Sequence, residues 1–244
     1  MNRFWEIDFF RGLGIILMVI FHTAYDLTAF GQVGFNFQVL GWKIFAYATG
    51  SIFLLLVGVS LTISLARAKN NQPTKFLHFK SLIRGLKILL WAMAITIVTR
   101  IFLGDGFVVF GVLHLIGLAT VLAYPLRNFK ILNVSLGLLI IALGVYLQTL
   151  RSASAALVWL GIAPINFYSV DYYPLLPWLG VVLLGVALGN WLYPQGQKKI
   201  KTSDSAPNFL TKKIACLGQH SLLIYLIHQP ILIVLLWSAG LIKI

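Results

Sequence analysis

Four ionisable residues fall on one face of the first apolar segment, where a membrane-spanning helix has little reason to carry any. The spacing of Asp8, Arg11, His22 and Asp26 places them within roughly 60° of arc on an α-helix. An ionisable side chain in hydrocarbon costs on the order of 2–3 kcal/mol even on permissive scales, so such residues normally face a protein interior or a water-filled cavity. This polar stripe is therefore the first place to look for chemistry.

His22 and Asp26 are the predicted catalytic residues of the stripe. They lie one helical turn apart, so the carboxylate is expected to hold one imidazole tautomer and to make the ring more basic. An imidazole in that setting acts as a general base or takes an acyl group briefly, and the residue types alone do not choose between the two. The alternative is a histidine that only hydrogen-bonds across helices.

Arg11 precedes His22 by eleven residues, which is roughly 16 Å along an α-helix. Its guanidinium is expected to bind an anionic group, such as a phosphate that arrives from the cytoplasm. The alternative is an ordinary anchor that extends to the membrane interface.

A second polar group lies in the last apolar segment. There Ser221, Tyr225 and His228 follow one another at i, i+4 and i+7, and Pro230 is expected to kink the helix. His228 either lines the same cavity as His22 or clamps two helices together. The residues that we expect to line a cavity are Asp8, His114, Tyr225, His228 and Gln229. No metal site is expected, because the chain has one cysteine and its histidines lack the spacing of metal ligands.

The elements that must position these residues are transmembrane helices. The chain has 244 residues, of which 59% are hydrophobic and 10% are charged, whereas soluble domains carry about a quarter charged residues. We predict an all-α, polytopic transmembrane helix bundle that forms a single domain over residues 1–244. Seven spans are expected, at residues 12–30, 44–66, 86–103, 110–126, 131–150, 175–193 and 220–240.

The basic residues predict the orientation of the bundle. Of the 19 lysines and arginines, only Lys43, Arg100, Arg151 and Lys243 fall on the side opposite the N-terminus. By the positive-inside rule the N-terminus is cytoplasmic and the C-terminus is outside. The net charge of +13 then reflects topology and contact with anionic lipids, so no nucleic-acid partner is expected.

The sequence also predicts the conformation of three connections between the spans. Residues 67–85 alternate basic and aromatic residues, which favours a short helix lying in the membrane interface. Residues 194–213 are rich in lysine, serine and proline and predict a mobile connection. The aromatic residues within 151–174 are expected to fold back over the bundle as a lid.

Several segments, taken in order, resemble a known family. The opening IDFFRGLGIILMVIFH has the arginine, ten intervening residues and histidine of the first helix of membrane-bound acyltransferases. SIFLLLVGVSL, FGVLHLIGLA, LPWLGVVLLGVALG and LGQHSLLIYLIHQPIL resemble the bacterial branch of the heparan-alpha-glucosaminide N-acetyltransferase catalytic-domain family. The resemblance runs from residue 7 to about 235 and implies a transmembrane enzyme that takes an acetyl group from cytoplasmic acetyl-CoA.

The resemblance also implies roles for particular residues. The phosphates of acetyl-CoA would lie against Arg11, with Arg84, Lys87 or Arg127, and the thioester would reach toward His22. Lysosomal relatives have more spans and a catalytic histidine in the loop after the first helix. Residues 31–45 contain no histidine, so His22 must carry that role here. The acceptor would be an amine or hydroxyl of a sugar on the far side of the membrane.

The function expected is therefore acyl transfer by a multi-pass protein of the inner or plasma membrane. The expected partners are membrane lipids, a small-molecule or glycan acceptor, and either a second copy of the chain or another membrane protein. Two alternatives stay open: a channel or transporter in which the stripe is a permeation path, and a structural subunit of a membrane complex.

Overall fold

The computed structural model describes residues 3–31, 33–69, 73–199 and 208–243, and this part of the chain is all-α, with no strand. Two short 3₁₀ helices, Ala155–Leu160 and Pro194–Gly196, lie in connections. The α-helices are α1 (Trp5–Ala29), α2 (Leu40–Lys69), α3 (Thr74–Leu103), α4 (Val112–Leu122), α5 (Ile131–Leu147), α6 (Leu175–Leu192), α7 (Phe209–Gln219) and α8 (Ser221–Ser238). The prediction of an all-α fold is confirmed for these residues.

Five of these helices, α1, α2, α3, α6 and α8, are long and apolar enough to cross a membrane. The predicted spans at 110–126 and 131–150 correspond to α4 and α5, which have 11 and 17 residues. Pro125 shortens α4, because its missing N–H and its ring end regular helix nearby. The chain continues in turns, in which Leu126 donates to the carbonyl of Ala123. Alone, α4 covers about 16 Å of a hydrocarbon core of about 30 Å.

Two connections differ from the sequence interpretation. The separate interfacial helix predicted within 67–85 is wrong, because α3 begins at Thr74 and continues without a break to Leu103. The mobile connection predicted over 194–213 holds ordered structure at both ends, since Pro194–Gly196 is a 3₁₀ helix and α7 begins at Phe209. Its middle, residues 200–207, lies outside the described residues.

The internal contacts divide the chain into two compact units, residues 1–56 with 202–244 and residues 57–201. The first unit contains α1, the start of α2, α7 and α8. Helix α2 begins in the first unit and ends in the second. This division describes packing only, and the single domain over 1–244 stays a prediction.

Within the first unit, α7 packs directly on the N-terminal half of α1. A Cβ at Gly12 would overlap the backbone carbonyl of Ile214, and one at Gly218 would overlap the backbone carbonyl of Asp8. Two glycines thus let the helix backbones touch, as small residues commonly do between membrane helices. The contact fixes the part of α1 that carries Arg11, which directly precedes Gly12.

The second unit is built around α6, whose buried face includes Trp178, Val182, Leu183 and Val186. Helix α5 packs on α6, and α3 packs on α4. The predicted lid over residues 151–174 is ordered against the start of α4: the backbone N–H of Tyr173 donates to the carbonyl of Phe110 at 2.9 Å. The connection is therefore part of this unit's packing.

Candidate functional site

Asp8 and Arg11 form an ion pair near the start of α1. Arg11 Nη1 donates to Asp8 Oδ1 at 3.0 Å, across the i, i+3 spacing. The Asp8 side chain is only 5% exposed, whereas that of Arg11 is 27% exposed. The arginine therefore neutralises a buried carboxylate while its side chain stays partly exposed. Binding of a phosphate by Arg11 stays a prediction.

Asp26 has a different partner from the one that its spacing predicts. Its Oδ1 accepts a hydrogen from Gln229 Nε2 of α8 at 2.7 Å, and the residue is completely buried. Oδ2 has no hydrogen-bond partner within the described ranges, so the expected Asp26–His22 hydrogen bond is not formed. Asp26 therefore bonds across to α8 and not along its own helix.

His22 instead lies beside a second histidine. Its ring centroid is 4.9 Å from that of His228, and the ring planes meet at 66°. Helix α1 places His22 four residues before Asp26, and α8 places His228 directly before Gln229, so the two pairs stack along the same helix contact. The stripe of α1 and the polar group of α8, which we predicted separately, thus form one cluster.

The tautomer of His228 follows from its hydrogen bond. Nδ1 lies 2.7 Å from the backbone carbonyl of Tyr225, one turn earlier in α8. A carbonyl only accepts, so Nδ1 carries the hydrogen, and in the neutral ring Nε2 keeps its lone pair. This Nε2 is buried and has no partner among the described residues.

Among the residues that the structure describes, no hydrogen donor reaches three buried atoms of the cluster: Asp26 Oδ2, Gln229 Oε1 and His228 Nε2. Buried polar atoms in native proteins are nearly always hydrogen-bonded, so each unpaired atom needs an explanation. In an ionised Asp26 and a neutral His228 all three are acceptors. The cluster is therefore suited to a bound group that brings several N–H or O–H donors.

Aromatic rings stand beside His22. Phe21 lies 5.8 Å from the His22 ring, and it also contacts Phe37, Trp42 and Phe45 at 5.6–6.3 Å. We did not single out Phe21 from the sequence, because a phenylalanine in an apolar helix carries no signal by itself. The aromatic composition of residues 35–45 was the available hint.

His114 lies in the second unit and is engaged at both ring nitrogens. The backbone N–H of Gly111 donates to Nδ1 at 3.2 Å, so the hydrogen of the neutral ring lies on Nε2, which is 3.3 Å from Thr96 Oγ1. The Thr96 hydroxyl donates in turn to the carbonyl of Val108 at 2.8 Å. This chain of bonds fixes the start of α4, and we interpret His114 as a structural residue.

The remaining predicted phosphate contacts, Arg84, Lys87 and Arg127, also belong to the second unit. Arg84 and Lys87 are exposed on α3. Arg127 follows α4, donates to the carbonyl of Tyr124 at 3.0 Å and lies 4.2 Å from the centroid of that ring. Asn190 donates to the Arg127 carbonyl at 2.8 Å, which holds this turn against α6. Their binding of an anion stays a prediction.

Comparison with known proteins gives one result. A family model described as heparan-alpha-glucosaminide N-acetyltransferase, catalytic, matches residues 3–230, which is most of the chain. No curated protein and no solved structure matches the chain.

Proposed function

This chain belongs to the heparan-alpha-glucosaminide N-acetyltransferase catalytic-domain family, and from that premise we propose that it transfers an acetyl group from cytoplasmic acetyl-CoA to an amine or hydroxyl acceptor. The observation that carries the proposal is the cluster of His22, Asp26, His228 and Gln229 on α1 and α8, in which Asp26 and His228 are buried. Side chains of these types within the apolar helices of a membrane protein ordinarily serve a substrate or ion pathway.

The unpaired acceptor atoms of the cluster favour a particular acceptor chemistry. An amino sugar or a polyhydroxyl sugar presents several N–H and O–H donors, which match Asp26 Oδ2 and Gln229 Oε1. An ionised phosphate presents only acceptors and would leave these atoms unpaired. We therefore assign this end of α1 to the acceptor substrate.

The donor substrate is assigned to the other end of α1. The adenosine phosphates of coenzyme A need cations, and Arg11 presents a partly exposed side chain. His22 lies eleven residues further along the same helix, roughly 16 Å away, a distance that an extended pantetheine arm spans. The donor thus supplies the activated acetyl group, and α1 sets the distance between its phosphate contact and the reacting imidazole.

His22 is the proposed reacting imidazole. In one form of the mechanism it removes the proton of the acceptor as the acetyl group is transferred, and in the other it takes the acetyl group itself. Asp26 acts through Gln229 in either form, because their hydrogen bond holds α8 against α1. His228 and Tyr225 of α8 belong to the same cluster as His22, and Pro230 directly follows Gln229.

We also propose the topology that this reaction needs. Seven crossings, with α4 and its following turns and α5 as the two short ones, place the N-terminus in the cytoplasm and the C-terminus outside. The support is the charge distribution, in which fifteen of the 19 basic residues fall on the N-terminal side. The membrane would be the inner or plasma membrane, where cytoplasmic acetyl-CoA is accessible.

The test uses the full chain purified into lipid nanodiscs, with acetyl-labelled acetyl-CoA and a panel of amino and hydroxyl sugars. Wild-type protein should acetylate at least one of them, and His22→Ala should lower turnover at least ~100-fold. Coenzyme A affinity, measured by calorimetry, should stay within about twofold. His78→Ala is the control, because His78 lies in α3, in the second unit. Undiminished turnover in His22→Ala, or no coenzyme A binding at all, overturns the proposal.

A further inference from the structure

We propose that His228 is the positioning residue of the acyl-transfer site: its bare Nε2 accepts the ring hydrogen of His22, orients that imidazole and stabilises the charge it acquires. The inference rests on the acyl transfer proposed above. It replaces the Asp26–His22 pair, which the spacing predicted and the structure does not form.

The first support is that His228 is fixed in the required state. Its Nδ1–H donates to the carbonyl of Tyr225 at 2.7 Å, within its own helix. The bond holds the ring orientation and leaves the lone pair on Nε2, as second-shell hydrogen bonds do for functional histidines. Because Nε2 is buried without a partner, it is an acceptor that lacks its donor.

The second support is distance. In an N–H···N bond of about 2.9 Å between two imidazoles, the ring centroids lie about 5 Å apart. The centroids of His22 and His228 are 4.9 Å apart. The His22 ring makes no hydrogen bond within the described part of the chain, and the proposal requires this ring to turn so that one of its N–H groups meets His228 Nε2.

The third support is the hydrogen bond that joins α8 to α1 next to the two histidines. Gln229 follows His228 in α8, and its amide donates to Asp26 on α1 at 2.7 Å. This bond fixes the register of α1 and α8 beside the histidines, because Gln229 directly follows His228 and Asp26 lies one turn after His22. It also occupies one of the two oxygens of the carboxylate that the spacing had paired with His22.

The step balances without any further reactant. The acceptor N–H or O–H bond breaks as its nitrogen or oxygen bonds to the acetyl carbon, and the proton goes to one nitrogen of His22. The other nitrogen of His22 donates its hydrogen to His228 Nε2 throughout. The carbon–sulfur bond breaks, the coenzyme A thiolate leaves with the electron pair, and the proton on His22 passes to that sulfur.

Two substitutions of His228 separate this role from simple packing. In His228→Asn the side-chain amide remains able to donate to the Tyr225 carbonyl, but nothing stands at the position of Nε2. In His228→Gln the longer side chain brings an acceptor oxygen to that position. We expect turnover to fall roughly 100-fold in His228→Asn and to be at least ~10-fold higher in His228→Gln than in His228→Asn. Coenzyme A binding should change less than about twofold in both.

The matched control is His220→Asn. His220 Nδ1 lies 3.0 Å from the carbonyl of Cys216, the same type of intrahelical contact, but the side chain is exposed. This variant should have wild-type turnover. If His228→Asn keeps wild-type turnover and His228→Gln loses it, His228 serves only its bond to Tyr225 and the proposal is overturned.

A second readout does not depend on activity. Nitrogen NMR of the protein with ¹⁵N-labelled histidine should show His228 with its hydrogen on Nδ1, and the His22 signals should shift in His228→Asn but not in His220→Asn. A hydrogen on Nε2 of His228, or unshifted His22 signals, overturns the proposal. If the wild type acetylates no acceptor, the proposed function fails, and the NMR result still decides whether the two histidines are paired.

Discussion

Gln229 donates its side-chain amide to Asp26 at 2.7 Å, and this bond joins α8 to α1 across 203 positions of the sequence. Gln229→Leu leaves both carboxylate oxygens of a completely buried aspartate without a donor. We expect unfolding free energy to fall by roughly 1–3 kcal/mol, measured by thermal unfolding in nanodiscs. The double variant Asp26→Leu/Gln229→Leu should recover part of that loss, since no buried charge remains. Equal stability of wild type and Gln229→Leu would show that the Gln229–Asp26 hydrogen bond does not stabilise the fold.

The α1–α7 contact predicts a steric effect. Gly218→Val adds a side chain where a Cβ alone already overlaps the carbonyl of Asp8, and backbone cannot yield as a flexible side chain does. We expect a loss of about 1–3 kcal/mol in the same unfolding assay. Gly41→Ala is the control, because no atom lies within 4 Å of a Cβ built there. A control that destabilises as much as Gly218→Val would show that the close approach is not the cause.

The ion pair of Arg11 and Asp8 gives a binding prediction. Arg11→Ala should weaken coenzyme A binding at least ~10-fold, because a phosphate loses a charge-assisted donor. Asp8→Asn removes the competing carboxylate and keeps the guanidinium, so binding should be retained or tightened. Calorimetry with purified protein measures both. If the two variants weaken coenzyme A binding equally, binding depends on the intact Arg11–Asp8 ion pair and not on the charge of Arg11 alone.

The structural interpretation of His114 predicts a separation of stability from activity. Thr96→Val removes the hydroxyl that lies 3.3 Å from His114 Nε2 and donates to Val108. Unfolding free energy should fall by roughly 1–3 kcal/mol, while the Michaelis constants at a permissive temperature stay at their wild-type values. A large loss of turnover in a stable Thr96→Val protein would contradict a purely structural role of His114.

Tyr172 predicts a loss of stability at high pH. Its hydroxyl donates to the carbonyl of Val158 at 2.8 Å in the connection before α6, and burial raises its pKa to about 12, although Arg151 opposes the shift. The folded state thus keeps the proton that the unfolded chain releases near pH 10. The contribution of Tyr172 is complete below pH 10 and is lost as the pH rises toward 12. In Tyr172→Phe the free energy of unfolding should therefore depend less on pH between pH 10 and pH 12. An unchanged slope of that free energy against pH would refute the prediction.

The sequence predicted well where one helix decides the outcome. The helical period places Asp8 and Arg11 on one face of α1, and there they form an ion pair that we did not predict. The same local reasoning failed for Asp26, because its partner comes from another helix that periodicity within α1 does not represent. Helix ends failed for a related reason. Helix α3 extends through residues 74–85, where basic and apolar residues alternate and no proline stops it, whereas a window of continuous hydrophobicity ends later in the chain.

The pairing of α1 with α7 and α8 has a consequence for how the protein is made. Helix α1 is synthesised about 180 residues before α7, which takes roughly 10–35 s at ordinary ribosome speeds. During that interval Asp26 has no Gln229 and His22 has no His228, so the polar stripe meets lipid or the insertion machinery instead. Premature termination before α8 would therefore leave the Asp26 carboxylate without the amide donor that it has in the folded chain.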